Sequence, residues 1–189
     1  MIAAAERTIA NGGLHDLRAR TLAEEVGCAV GAIYNAVEDL DELILLANSR
    51  TLAALERALA AVRDANDDDP GAAISQLVRL ALAYLTFAAT HIWQWRALFD
   101  HRMPGRDVPE WYRNEQRRLF RYVEAPLCVL QKQATPKQRA LLARSLFSAV
   151  HGLVTLGLEE RLGAIPLPAL REQVTFMVTA IGRGMTTPD

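Results

Sequence analysis

EEVGCAVGAIYNAVEDLDELI, residues 24–44, is helical in its apolar period and broken in its middle by Gly27 and Gly31. A glycine inside a helix costs about 1 kcal/mol against alanine, so two of them four residues apart mark a corner. A helix ending at Val26, then Gly27 in the left-handed conformation, a two-residue turn and a second short helix make a helix-turn-helix. Ala23 and Ile33 would face each other across that corner. Gly31 falls in the first turn of the second helix, where a missing side chain admits another backbone. An ordinary helical hairpin has the same spacing, so spacing alone leaves the corner's purpose open.

Outward from the corner, capping signals divide the chain into helices. DLDE at 39–42 and DVPE at 107–110 have the D-x-x-E form of a capping box, and TPKQ at 135–138 is the T-x-x-Q form with proline at the first helical position. Asp69-Pro70 offers a further start, and Pro166 with Pro168 a last one. Helices are predicted to about residue 11, at 18–26, 30–36 and 40–63, then at 72–90, 91–101, 109–133, 136–162 and 167–184. The run DANDDDPG, 64–71, reads as the boundary. The predicted division is a head over 1–48, a connecting helix and linker over 49–71, and a helical domain over 72–189. No segment has the alternation of a strand, so the fold class is all-α.

Composition sets limits on partners. With 21 basic and 22 acidic residues the formal net charge is −1, so the overall balance points to no polyanion. Apolar runs are interrupted by Arg, His or Gln and no signal-peptide pattern opens the chain, which predicts a cytoplasmic protein with no membrane partner. Cys28 and Cys128 are expected as free, buried thiols.

The residues of the corner carry more than spacing. LAEEVGCAVGAIYN, 22–35, followed by DLDEL and a long helix, resembles the DNA-binding domain of the tetracycline-repressor (TetR) family of bacterial transcription regulators. The resemblance covers about residues 2–50, and its most specific element is G-x-x-x-G-x-[LI]-Y, here Gly27, Gly31, Ile33 and Tyr34. FSAVHGLVTLGLEE, 147–160, looks like the C-terminal domain named for a Trp-His-Gly motif, with Phe147 at the tryptophan and His151 and Gly152 in place. The resemblance implies three N-terminal helices, a connecting fourth, and a ligand-binding and dimerisation domain. It places the second corner helix in the major groove of a palindromic double-stranded operator. Val30, Ala32 and Asn35 would then meet bases, Asn35 pairing with adenine and Val30 or Ala32 touching a thymine methyl, while Gly31 would lie at the DNA and allow a close backbone approach. Tyr34 would reach a phosphate, as would Arg18 and Arg20.

Several positions depart from the family's pattern. Ala29 stands where a serine usually caps the recognition helix, a loss of about 1 kcal/mol. Val30 replaces a frequent Lys or Arg, Val37 an aromatic, and Leu40 a lysine that touches the DNA backbone. Residues 1–45 hold three basic side chains (Arg7, Arg18, Arg20) against eight acidic ones, a balance of −5. Phosphate neutralisation supplies most non-specific affinity, so such a head binds weakly. The chain opens almost inside its first helix, where many relatives carry a basic arm.

Nine of the aromatics fall between Tyr84 and Tyr122. From that window and the Trp-His-Gly-like stretch, Tyr84, Phe87, His91, Trp95, Phe99, Trp111, Phe120, Phe147 and His151 are the candidate contacts for a small apolar or aromatic effector; each could equally be core. No metal site is expected, because His91 and His101 lack ligand spacing, and no cofactor loop or catalytic constellation is present, so no enzymatic activity is expected. A dimer seam is predicted from two stripes: Leu142, Leu146, Ala149, Leu153 and Leu156, and Leu170, Val174, Met177, Val178 and Ile181, with Gly152 and Gly157 allowing close approach; stripes of this kind could equally be intramolecular core. These features describe a homodimeric, ligand-responsive repressor, or a ligand-binding protein of the same fold with weak or lost DNA binding.

Overall fold

The computed structural model describes residues 1–63, 68–159 and 163–186. Every regular element among the described residues is helical: α1 (Ile2–Gly12), α2 (Ala19–Val26), α3 (Val30–Tyr34), α4 (Leu40–Ala61), α5 (Pro70–Thr90), α6 (Ile92–Asp100), α7 (Glu110–Leu130), α8 (Pro136–Gly157) and α9 (Leu167–Thr186), with a 3-10 turn at Leu14–Asp16. The fold is all-α. Residues 64–67 of the predicted boundary, and 160–162 at the predicted end of α8, lie outside the described residues.

Two compact units divide the chain. The first is Met1–Leu55 with Thr90–Gln116, the second Glu56–Ala89 with Arg117–Asp189. The stretch 90–116, which the sequence division puts in the C-terminal domain, thus packs with the head, because α6 lies against α1.

The first unit is built around the corner. Ala4, Ala5 and Ile9 of α1, Leu22 and Ala23 of α2, Ile33 of α3, Leu43, Ile44 and Ala47 of α4 and Ala97 of α6 share one core. Ala23 and Ile33 are 2% and 1% exposed, as the corner requires. Gly27 has φ 76° and ψ 36°. The Cys28 N–H donates to the Ala23 carbonyl at 2.9 Å and the Gly27 N–H to the Glu24 carbonyl at 3.3 Å, the double closure of a Schellman end. At the start of α4, Asp39 Oδ1 accepts from the Glu42 N–H at 2.8 Å, while the Glu42 carboxylate reaches one residue further back, to the Glu38 N–H at 2.5 Å.

The second unit holds α5, α8, α9 and the C-terminal part of α7. The capping box of α8 forms: the Gln138 N–H donates to Thr135 Oγ1 at 3.3 Å and the Thr135 N–H to Gln138 Oε1 at 2.8 Å. At 107–110 the helix starts later than a capping box on Asp107 would place it. Val108 precedes Pro109 and is disfavoured from the helical region, so α7 begins at Glu110 and the Arg113 N–H donates to the Pro109 carbonyl at 3.1 Å.

Helices α8 and α9 pack closely where a Cβ on Gly157 would come within 2.6 Å of Leu170 Cδ1. This packing corrects part of the predicted seam. Leu146, Leu170, Val174 and Val178 are 0–6% exposed within a single chain, because one apolar stripe of each helix is needed to hold the pair together. The outer face carries Leu141 (66% exposed), Leu156 (60%) and Phe176 (71%). A Cβ on Gly152 would meet nothing within 4 Å, so that glycine is not used for helix approach inside the chain.

Two further features differ from the sequence reading in detail. By length and composition α5 and α8 are apolar enough to cross a membrane, since their interruptions are mostly uncharged. Within the unit they bury Leu77, Leu80, Tyr84, Leu85 and Phe87, and Leu146, Val150 and Val154. Both cysteines are free but exposed: Cys28 sits in the turn itself, where no core reaches, and Cys128 on the outer side of α7.

Candidate nucleic-acid interface and aromatic cluster

Helix α3 is five residues long and is held by Ile33 alone, with Val37 (6% exposed) following in the next turn. Ala29 stands at its N-cap without a side-chain hydrogen bond. Everything else on it faces outward: Val30 is 40% and Tyr34 50% exposed, and Gly31, Ala32 and Asn35 are exposed beside them. A Cβ on Gly31 would meet nothing within 4 Å, so no backbone of this chain uses the space that glycine leaves. Arg18 is exposed at the N-cap of α2, its carbonyl accepting from the Leu22 N–H at 2.9 Å. The five α3 candidates and the two arginines therefore lie on the exposed sides of consecutive helices.

The charge of this face is largely internal. Arg7 Nη2 lies 2.7 Å from Glu25 Oε1 and Arg20 Nε 3.4 Å from Glu24 Oε1, so both glutamates of α2 engage a basic side chain. Behind the corner, Arg106 forks across the start of α4, with Nη1 2.6 Å from Asp39 and Nη2 2.7 Å from Asp41. That fork holds the Asp39 carboxyl below the usual carboxylate range and raises the arginine's own proton affinity. His101 Nε2 lies 3.6 Å from Asp41 Oδ1. Burial pushes the His101 pKa down, outweighing the pull of Asp41 and Asp39.

The expected effector contacts are split between the units. Tyr84, Phe87, Phe120, Phe147 and His151 belong to the second. There the Tyr84 hydroxyl is 2.8 Å from His151 Nδ1, and Phe147 stacks on His151 with ring centres 5.5 Å apart and planes at 23°. Phe147 also meets Tyr84 and Phe120 edge to face, each at 5.5 Å. Burial lowers the His151 pKa, which favours a neutral imidazole that exchanges one hydrogen bond with Tyr84. Chemically this is an apolar, aromatic cluster around one imidazole, whose other nitrogen, Nε2, lies 3.4 Å from Thr155 Oγ1.

His91, Trp95, Phe99 and Trp111 belong to the first unit. His91 is the exposed N-cap of α6, 2.9 Å from Thr90 Oγ1. Trp95 is 2% exposed and packs edge-on against Phe99, while Trp111 is 40% exposed with its ring edge-on to Tyr112 at 5.6 Å. The sequence treated 84–122 as one window; the chain turns back at Thr90 and splits it.

Two groups of residues were not singled out from sequence. Asn48, at 1% exposure, is a buried polar side chain on the apolar face of α4; a lone asparagine amid LILLAN was the available signal. Arg106 gave none, since its partners are more than sixty residues away in the chain. Among the described residues no three His, Cys, Asp or Glu side chains gather as metal ligands.

Comparison with known proteins matches this geometry to a family. Residues 77–181 match the tetracyclin repressor-like C-terminal domain family, which is more than half of the chain. No curated protein sequence matches. Among solved structures, a protein of unknown function from Rhodococcus sp. RHA1 superposes with a TM-score of 0.76 at 22% identity, covering 98% of this chain and 93% of that one. A TetR-like transcriptional regulator from Rhodococcus sp. RHA1 gives 0.62 at 19% identity, covering 97% and 93%. A Clostridium perfringens protein proposed as a fatty acid metabolism regulator gives 0.67 at 17%, covering 95% and 96%. The solved structures share the fold, the matched C-terminal stretch is the family's own, and the chain belongs to the tetracycline-repressor-like family.

Proposed function

We propose that the chain is a cytoplasmic, homodimeric transcription regulator that binds a palindromic DNA site and is released from it by a small apolar or aromatic effector. One observation carries this reading. Helix α3 gives a single side chain to the core and exposes Val30, Gly31, Ala32, Tyr34 and Asn35, which is more apolar and aromatic surface than a corner helix needs for folding. The Tyr84–Phe147–His151 cluster supports the effector, and the outward Leu141, Leu156 and Phe176 support the dimer.

The second reading, a ligand-binding protein with weak DNA affinity, is favoured by the charge of the head. Arg7 and Arg20 are already engaged by Glu25 and Glu24. Binding isotherms on a palindromic fragment, taken across a salt series, separate the two. With Arg18 and Arg20 as anchors, log K should fall against log salt with a slope of about −2 to −4. Asn35→Ala should cost about 1–3 kcal/mol at particular base pairs and leave the slope nearly unchanged. A parent protein that binds no palindrome even at low salt leaves the second reading standing.

A further inference from the structure

Four carboxylates crowd the link between α3 and α4: Glu38, Asp39, Asp41 and Glu42 lie within five residues. Two of them serve the helix start, Asp39 accepting from the Glu42 N–H and Glu42 from the Glu38 N–H. A helix N-terminus favours negative charge over its first turn, but like charges this close still repel one another. The element before the link resists little, since α3 has five residues and buries only Ile33. An unbalanced cluster there would let the corner swing.

The balancing cation comes from a distant part of the sequence. Arg106 lies on the loop between α6 and α7, in the same compact unit as the corner. Its terminal nitrogens take different carboxylates, Nη1 reaching Asp39 at 2.6 Å and Nη2 Asp41 at 2.7 Å. The loop is shaped for this reach. At its root His101 caps α6, its side chain 9% exposed and its Nε2 3.6 Å from Asp41. At its tip Pro104 and Gly105 make a tight turn, with Gly105 at φ 76° and the Arg106 N–H donating to the Met103 carbonyl at 3.3 Å. A lone exposed ion pair contributes little. A planar fork across two carboxylates also fixes direction, which a lysine cannot copy.

We propose that Arg106 is a positioning residue of the DNA-facing corner: its fork ties Asp39, the cap of α4, and Asp41 to the α6–α7 loop and so sets the angle at which α3 presents Val30, Tyr34 and Asn35. Arg106 touches no base in this role. The inference deepens the regulator reading and rests on it for its effect on DNA, whereas the ordering of the corner is measured without DNA.

The test compares the full chain with Arg106→Ala, Arg106→Lys, Asp41→Asn and the Asp41→Asn, Arg106→Ala double variant. Amide hydrogen exchange reads the order of residues 29–43. Affinity is read at one fixed salt, on a palindromic duplex selected by the parent from a randomised pool. Arg106→Ala should exchange several-fold faster over 35–43 and bind the duplex about threefold to tenfold more weakly. Its melting temperature should change little, because the fork is exposed. Arg106→Lys keeps the charge without the fork and should recover only part of the affinity. With Asp41 already neutral there is less repulsion to balance, so removing Arg106 should cost less than in the parent. Unchanged exchange or full affinity in Arg106→Ala, or equal losses in the two backgrounds, overturns the proposal. Failure of the regulator reading shows in the parent instead, which then selects no duplex, and Arg106 loses its DNA role with it.

Discussion

Gly27 holds φ 76° and ψ 36° at the end of α2, although a Cβ there would meet nothing within 4 Å. Its need is conformational, and Gly27→Ala should cost about 1–2 kcal/mol of stability for the left-handed backbone. Gly31 lies inside α3 at helical angles, and an added Cβ is equally unopposed. Gly31→Ala should therefore stabilise the fold, by up to about 1 kcal/mol, while weakening DNA binding if a phosphate backbone comes close there. Urea denaturation and DNA titration of the two variants give opposite orders for the two properties. A Gly31→Ala protein that is both more stable and undiminished on DNA would deny that glycine a role in contact. The sequence showed both glycines plainly, but only the structure separates a dihedral requirement from open space.

At the scale of elements, helix positions were legible because caps are local. Thr135 and Gln138 announce α8 within four residues, and Asp69 announces α5 in the same way, its Oδ2 accepting from the Ala72 N–H at 2.7 Å. What the sequence hid is which helices meet. The return of α6 to α1, and the fork of Arg106 onto α4, depend on contacts between residues far apart, which no period encodes. The aromatic cluster was half legible for the same reason: Phe147 and His151 share one turn of α8, whereas Trp95 and Phe99 lie beyond the turn at Thr90 that carries them into the other unit.

The α4 end of this arrangement has a pH dependence with a definite sign. Burial holds the folded pKa of His101 below its ordinary value near about 6.5. Above that pH both folded and unfolded forms are neutral there. As pH falls through the ordinary value the unfolded chain takes up the proton first, and stability is lost until the folded pKa is passed. All three tryptophans lie in the first unit, so fluorescence-detected urea midpoints report the region around His101. They should be level above about pH 7 and fall below about pH 6.5. His101→Gln should flatten that fall, and an unchanged curve would place the titration elsewhere, His151 being lowered in the same direction by burial in the second unit.

For the whole molecule, the outer face of α8 and α9 is the surface proposed to pair two chains. Phe176 is 71% exposed, so Phe176→Asp should leave the fold intact while placing a charge on the face proposed to pair. Sedimentation should show folded monomer. Leu146→Arg, by contrast, strikes a side chain 6% exposed within its own chain and should yield unfolded or insoluble protein. A Phe176→Asp protein that remains dimeric would move the interface to another surface.

The pairing of Arg7 with Glu25 and of Arg20 with Glu24 also has a kinetic consequence. A regulator with a basic head is drawn to DNA from a distance and gains speed from the attraction. Here Arg7 of α1 and Arg20 of α2 are both matched by glutamates of α2, and Arg18 alone is left outside these pairs. On the proposed reading, arrival at a site would owe little to attraction and more to diffusion and orientation. On that reading occupancy would come from slow departure, through the uncharged contacts proposed for α3. Such a protein spends little time on random DNA, and its search is through the solvent rather than along the duplex.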